Sequence, residues 1–223
     1  MEPTLRQRRR WMYENPRPDV QALVPREARR ILDLGCSSGA LGGALKSRQA
    51  AEVVGIENDT AYAEDARGRL DRVVQSDLEE LFAHPAEEEL GRFDCLIAAD
   101  VLEHLRDPWH VLVAAAALLW TGGTAVISVP NVRYWETFWQ LGIRGTWPRR
   151  DEGVFDSTHL RWFTGTDAVT MMDAAGVPVR RISRQYRLKP GDWHSSRQGR
   201  WFAHTPLRPF FVYQYVMAGQ KLG

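Results

Sequence analysis

The stretch Ile31-Leu32-Asp33-Leu34-Gly35-Cys36-Ser37-Ser38-Gly39 is an apolar run that passes directly into a glycine and serine turn, with helix-like sequence behind it. Small residues at such a turn let a ligand lie against the backbone amides of a helix N-terminus. Eighteen residues after Gly39 a second strand-like run ends in Glu57, where a carboxylate can accept both hydroxyls of a ribose. The pair points to a nucleoside-containing cofactor. A dinucleotide is disfavoured, because the glycines fall at Gly35, Gly39, Gly42 and Gly43 and miss the G-x-G-x-x-G spacing.

Outward from this turn, strand-like runs at 31–34, 52–57, 72–75, 93–98 and 124–129 alternate with helix-like segments. That alternation predicts an α/β fold with a parallel sheet and crossover helices on both faces. The clearest helix begins at Asp107-Pro108, where Asp caps and Pro takes the first turn, and is expected to stop at Thr121-Gly122-Gly123. Residues 131–163 read as an insertion rich in aromatics and arginine. A helix at about 166–175 follows, then strand-like segments at 177–183 and 210–218 that look antiparallel. Residues 1–28 are expected to form an arm with a short helix around 19–24, ahead of one domain over 29–223.

Composition narrows the classes. The 223 residues carry 29 Lys plus Arg against 28 Asp plus Glu, a net charge of +1 with 44% hydrophobic residues, which suits one large globular domain. The longest apolar run, at 111–120, has ten residues, half of what a spanning helix requires. The charged N-terminus has no apolar core behind it, so a secretory signal is not expected. Two cysteines make no disulfide framework or zinc cluster, and cytoplasmic residence is the expectation. Nine of the last 50 residues are Lys or Arg against the single acid Asp192, a solvated basic face or an attraction for an anionic, nucleotide-linked acceptor. Nucleic acid is not expected as a partner, since overall charge is near zero and no nucleic-acid motif is present.

The chain resembles a class I S-adenosylmethionine-dependent methyltransferase. Asp33, Gly35 and Gly39 match the first motif of that family, with Ser37 where the middle glycine is usual. Glu57, in Val-Val-Gly-Ile-Glu-Asn-Asp, matches the ribose-binding acid. Asp77, in Val-Val-Gln-Ser-Asp-Leu, matches the acid that bonds the adenine amino group. The run from Phe93 to Leu105, ending in Asp100-Val101-Leu102-Glu103-His104-Leu105, matches the fourth strand and the segment after it. The resemblance implies a Rossmann-like, seven-stranded, mostly parallel sheet whose last strand is antiparallel and lies between the fifth and sixth. It implies S-adenosylmethionine as cofactor, S-adenosylhomocysteine as product, and cofactor contacts from Asp33, Gly35, Cys36, Ser37, Gly39, Glu57, Asn58, Asp77, Leu78 and Ala98.

Ser128-Val129-Pro130-Asn131-Val132-Arg133-Tyr134-Trp135 and Asp156-Ser157-Thr158-His159-Leu160-Arg161-Trp162-Phe163-Thr164 are similar to a bacterial subgroup of these enzymes associated with polysaccharide and glycosylated natural-product biosynthesis. This likeness implies O-methylation of a sugar or glycosylated small molecule; N- or C-methylation of another metabolite and a non-catalytic regulatory role stay open. Six of nine tryptophans, at 135, 139, 147, 162, 193 and 201, fall at or after the insertion, where flat rings suit sugar faces or simple packing. Tyr13, Asp100, Asn131, Tyr134, Trp135 and Arg161 are the candidate acceptor contacts, with 10–13 of the arm and the insertion covering the pocket. A hydroxyl acceptor needs a base. His84, His110, His194 and His204 lack a supporting context, leaving His159, which is favoured, and His104. A metal site cannot be completed from the sequence, so no metal ligands are named and metal dependence stays open.

Overall fold

A computed structural model describes residues 13–187 and 206–223. Seven strands form one sheet: β1 (Arg30–Leu34), β2 (Glu52–Glu57), β3 (Arg72–Gln75), β4 (Phe93–Ala99), β5 (Leu119–Pro130), β6 (Val179–Tyr186) and β7 (Val212–Gln220). Their order is β3-β2-β1-β4-β5-β7-β6, parallel through β5, with β7 antiparallel to both neighbours as expected. The strand order reverses between β1 and β4, and a crevice at the carboxyl ends of strands at such a switch point is where ligands bind in open α/β sheets.

The apolar strands divide by parity, as a sheet covered on both faces requires. Ile31, Val53, Cys95, Ile97 and Val216 pack on one face with Leu41, Leu45 and Leu70. Leu32, Val54, Leu96, Ala98 and Met217 pack on the other with Phe82, Val111, Leu112 and Met171. The arm joins the first layer through Val20, Leu23 and Val24, around a helix at Pro18–Gln21. Asp33 and Glu57 therefore share the face of Ile31 and Val53.

Side-chain caps set the helix starts. The helix Pro108–Ala117 begins where Asp107 accepts from the His110 amide. The helix Gly165–Ala174 opens on a reciprocal cap between Thr164 and Asp167. The first of these ends earlier than its sequence suggests. It stops at Ala117, and Leu119 already pairs with Phe93 in β5. The Gly122-Gly123 pair instead builds an irregularity inside β5, where the pairing jumps from Phe93↔Leu119 to Cys95↔Thr124. Gly122 adopts φ +81°, and a Cβ on Gly123 would meet the Trp120 carbonyl at 2.8 Å. These glycines absorb extra residues at a strand entrance rather than ending a helix. The insertion is pinned at its base by a bridge between Asn131 and Phe163.

Candidate active site

A cavity of about 780 Å³ opens at the carboxyl ends of β1 and β4. Its walls come from the arm (Tyr13 to Asp19), the turn after β1, residues 99–104, the insertion (Gly153, Asp156, His159) and β6 and β7 with the residues beside them (Gln185, Arg187, Tyr213, Gln214). Among the described residues, the three non-glycines with positive φ are Arg17, Ser37 and Asp100, and all three line this cavity. Such backbone costs energy and persists where the surroundings over-determine it, a pattern that marks functional sites.

On the cofactor side, Gly35 turns at φ +64°, and a Cβ there would lie 2.7 Å from Val101 Cγ2. The Ser37 amide donates to Glu57 Oε2 at 2.8 Å, and the Asp59 amide donates to Oε1 at 2.8 Å. Glu57 thus holds the turn, and each oxygen keeps lone-pair capacity for hydroxyls. Burial raises its pKa. Asp33 is 2% exposed and its Oδ2 has no hydrogen-bond partner. Burial, then the Glu57 charge, pushes its carboxyl up to about 7. Cys36 packs over Gly55, where a Cβ would lie 2.5 Å from its sulfur, and burial, then Asp33, pushes the thiol up.

The remaining expected cofactor residues divide. Asp33, Gly35, Cys36 and Ser37 line the cavity, whereas Gly39, Glu57, Asn58, Asp77, Leu78 and Ala98 do not. Gly39 caps the helix Ala40–Arg48, and Asp77 Oδ1 caps Leu78–Leu81 by accepting from the Glu79 and Glu80 amides. Asn58 is exposed and Leu78 is core. Ala98 needs correction, because its parity turns it into the opposite core layer; Ala99, one residue on, faces the cavity.

The acceptor side is rebuilt more extensively. Asn131 is fully buried and spent on backbone: its Nδ2 donates to the Pro209 and Val212 carbonyls at 2.8 Å each, and its Oδ1 accepts from the Arg133 amide. Tyr134 is buried between Trp135 and Tyr213, ring centroids 5.7 and 5.4 Å away, and neither it nor Trp135 reaches the cavity. Arg161 folds back onto the Leu160 and Arg106 carbonyls. These four are therefore not cavity contacts. Tyr13 is one, and its carbonyl accepts from Ser38 Oγ at 2.6 Å, on the cofactor-loop side. Residues 10–12, and with them the rest of that expected cover, lie outside the described residues, as do Trp193, Trp201, His194 and His204.

Asp100 lines the cavity inside a network that sequence reasoning did not find. Arg17 forms a two-pronged pair with Asp19 (3.0 Å for each contact) and also bonds Asp100. Ser128 Oγ donates to Asp100 Oδ1 at 2.7 Å, and Gln214 donates to the same oxygen. Burial opposes the Arg17 charge, but Asp100 and Asp19 outweigh it and raise its pKa. The arm is thereby fastened to the ends of β4 and β5.

Beside this network sit Glu103, His104 and His159. Glu103 is 1% exposed, its Oε2 has no hydrogen-bond partner, and burial, followed by the Asp100 charge, raises its pKa well above the ordinary value. His159 Nε2 lies 3.9 Å from Glu103 Oε1. Burial, then His104, lowers His159 to about 4, so at neutral pH this contact involves a neutral imidazole and is no ion pair. The two imidazoles meet edge to face at 4.7 Å. The Thr158 hydroxyl donates to Asp156 Oδ1 at 2.6 Å and lies 3.1 Å from His104 Nδ1. With its proton committed to Asp156, Thr158 accepts from the imidazole, which places a proton on His104 Nδ1. Asp100 is turned to Arg17 and does not orient His104. Glu103, His104 and His159 also offer three ligand atoms within 4.8 Å of one another, a group able to hold a metal ion that the sequence did not reveal.

The orphaned Asp33 oxygen, the Gly35 turn that admits no side chain and the Glu57-held loop fit a cationic, ribose-bearing cofactor. The fold is that of class I S-adenosylmethionine-dependent methyltransferases, and the geometry of the site fits that cofactor. A methyltransferase from Archaeoglobus fulgidus shares the fold with a TM-score of 0.64, at 17% identity over 97% of this chain and 96% of that one. A Burkholderia thailandensis 1,6-didemethyltoxoflavin-N1-methyltransferase with bound S-adenosylhomocysteine shares it at 0.60, with 19% identity over 97% of this chain and 82% of that one.

The chain belongs to the family described as methionine biosynthesis protein MetW, whose model matches residues 17–206. It is also 34% identical over 205 residues to a ubiquinone biosynthesis O-methyltransferase of Alkalilimnicola ehrlichii, covering 85% of this chain and 79% of that relative. Other relatives of that name align over less, about 47% of their length. None of these names carries the polysaccharide or glycosylated-product association expected from the sequence.

Proposed function

We propose that this enzyme methylates a hydroxyl oxygen of a small molecule held between the arm, residues 100–104 and residues 153–159. The observation that carries the reading is the Asp156–Thr158–His104 relay, which orients an imidazole beside the buried Glu103 carboxyl. The similar proteins named as O-methyltransferases support an oxygen nucleophile. Bound cofactor supplies a methyl carbon activated by sulfonium charge. The protein fixes the acceptor in line with it, excludes water and takes the hydroxyl proton at His104. His159, at about 4, is a weak base at neutral pH and serves better as a neutral hydrogen-bonding wall.

The lining carries the carboxyls of Asp19, Asp33, Asp100, Glu103 and Asp156 against the guanidinium groups of Arg17 and Arg187. Hydroxyl-rich or uncharged heads suit such walls better than a phosphorylated acceptor. A sugar remains one member of that class, beside phenols and catechols. Action in the cytoplasm belongs to the same reading and is supported by two cysteines that are free and buried. The test is a panel of phenol, catechol and sugar hydroxyl acceptors and their amine counterparts, read by mass spectrometry for one added methyl. Methylation of the amines alone would overturn the reading.

A further inference from the structure

A second cavity, of about 500 Å³, lies at the opposite end of the sheet from the active site, where Thr124 of β5 pairs with Gln220 of β7. The two cavities share no lining residue. One wall is the arm, with Leu23, Val24 and Pro25. That wall is fastened from behind. Arg48 donates to the Gln21 and Val24 carbonyls, and Gln49 Nε2 donates to the Pro25 and Ala28 carbonyls at 3.0 and 2.7 Å. Ala218 and Gly219 of β7 also line the pocket, and their small size leaves room for a small molecule on a wall that is already in place.

The charge of this pocket is one-sided. Arg26 from the arm and Arg180 and Arg181 from β6 line it against the single acid Glu27, a net charge of +2. All three arginines are exposed, and among the described residues none of their guanidinium groups has an ion-pair or hydrogen-bond partner. Burial, followed by the Arg26 charge, holds the Arg48 guanidinium below its ordinary value, so a fourth positive group stands near the same wall. Successive side chains of a regular strand point to opposite faces. Here the pairing steps from Val179↔Gly219 to Arg181↔Ala218, and this irregularity makes Arg180 an extra residue and lets both arginines line one pocket. Charges on an edge strand such as β6 also discourage pairing with another chain, but that role asks nothing of Arg26, which comes from a remote segment.

We propose that this pocket binds a soluble phosphate monoester. Such a group carries about two negative charges at neutral pH and three strong acceptor oxygens, which match the net charge of the lining and its three guanidinium groups. Arginine suits this task better than lysine, because its planar fork meets phosphate oxygens two at a time. A carboxylate brings one charge and two oxygens, and a phosphodiester brings one charge. Leu23, Val24 and Pro25 face the organic part of the molecule. The ligand is neither methyl acceptor nor cofactor, and it is held by the same arm that runs on through Pro18–Gln21 to the active-site wall.

The experiment is titration calorimetry on the whole protein saturated with S-adenosylhomocysteine, which keeps the probes from reporting on Arg17 and Arg187 in the active-site cavity. Phenyl phosphate should bind at one site at least about tenfold tighter than benzoate, and its affinity should fall as pH is lowered from about 7.5 to about 5.5, where the phosphate takes up its second proton. Arg180→Gln with Arg181→Gln, and separately Arg26→Gln, should weaken phenyl phosphate at least about tenfold, whereas Glu27→Gln should tighten it. None of these four residues lines the active-site cavity, so S-adenosylhomocysteine affinity and melting temperature should stay as in the unmodified protein. The preference over benzoate and the pH dependence test the unmodified protein even where a variant folds poorly. No heat with phenyl phosphate at millimolar concentration, equal binding of benzoate, or affinity untouched by the arginine variants overturns the proposal. So does a single-stranded oligonucleotide that binds through the same arginines in preference to phenyl phosphate. Each of these outcomes leaves the hydroxyl-methylation reading intact, because that reading is judged by product mass.

Discussion

Replacing Asp33 by Asn should move two measured quantities in opposite directions. Asp33 is the penultimate residue of β1 at 2% exposure, with one oxygen unpaired and Glu57 nearby, and its carboxyl is pushed up to about 7 from an ordinary 3.8. Three units correspond to about 4 kcal/mol of cost for ionising this group in the cofactor-free protein. The sign follows from proton linkage. A carboxyl raised by folding binds its proton more tightly in the native state, so native stability falls as pH rises from about 4 and carries the full penalty above about 7. Asn does not ionise, so cofactor-free Asp33→Asn should gain up to about 4 kcal/mol over the parent at about pH 8, a difference that shrinks as pH falls. In the complex, the resemblance places the cofactor's ammonium group at this carboxyl, and the variant loses a charged hydrogen bond worth about 1.5 to 3 kcal/mol, or about 10- to 100-fold in S-adenosylhomocysteine affinity. Denaturant unfolding across about pH 5 to 9 and titration calorimetry measure the two effects. A variant less stable than its parent at the alkaline end, or one that binds S-adenosylhomocysteine equally well, would refute the assignment of Asp33 to the cofactor's cationic end.

Glu57→Ala should weaken S-adenosylhomocysteine by about 1.5 to 3 kcal/mol, since it removes the proposed ribose acceptor and the group holding the Ser37 and Asp59 amides; unchanged calorimetric affinity removes Glu57 from the site. His104→Ala should lower turnover at least about a hundredfold with cofactor affinity near the parent value, and His159→Ala should cost less; the reverse order in steady-state assays would restore His159 as the base. Asn131→Ala should leave acceptor KM unchanged per folded molecule and destabilise the fold by about 2 to 4 kcal/mol, because the Pro209 and Val212 carbonyls and the Arg133 amide lose their partner; a KM effect without a stability effect contradicts its placement.

The cofactor half was legible because its determinants are local. A strand, a small-residue turn and an acid one strand further on place Asp33, Gly35, Ser37 and Glu57 within 25 residues, and a parallel sheet leaves the turn little freedom over where they go. The error at Ala98 is one of parity. Its neighbour Ala99 looks the same in the sequence, and the pairing of Ala98 with Leu34 in β1 decides which of the two faces the cavity. The helix end at Ala117 was misread because Gly122-Gly123 suits a bulge as well as a helix stop, and the choice is made by Phe93 pairing with Leu119.

The acceptor half was harder because it is made by contacts between remote segments. Arg17 and Asp100 are 83 residues apart, Asp100 and Gln214 are 114 apart, and His104 finds Thr158 across 54. In the sequence, Asn131, Tyr134 and Arg161 are as polar and as near the motifs as Glu103. What separates them is hydrogen-bond satisfaction. Asn131 and Arg161 are spent on backbone carbonyls, and Tyr134 is stacked away in an aromatic cluster, whereas one oxygen of Glu103 is buried at the cavity wall without a partner. A buried carboxyl in that condition destabilises the fold unless it stays protonated or a ligand pairs with it. Retaining it beside an imidazole whose proton is fixed by Thr158 is therefore evidence of chemistry rather than of packing. The distinction is measurable: Glu103→Gln should hold or raise the melting temperature while lowering turnover, and a loss of both would make Glu103 a structural residue.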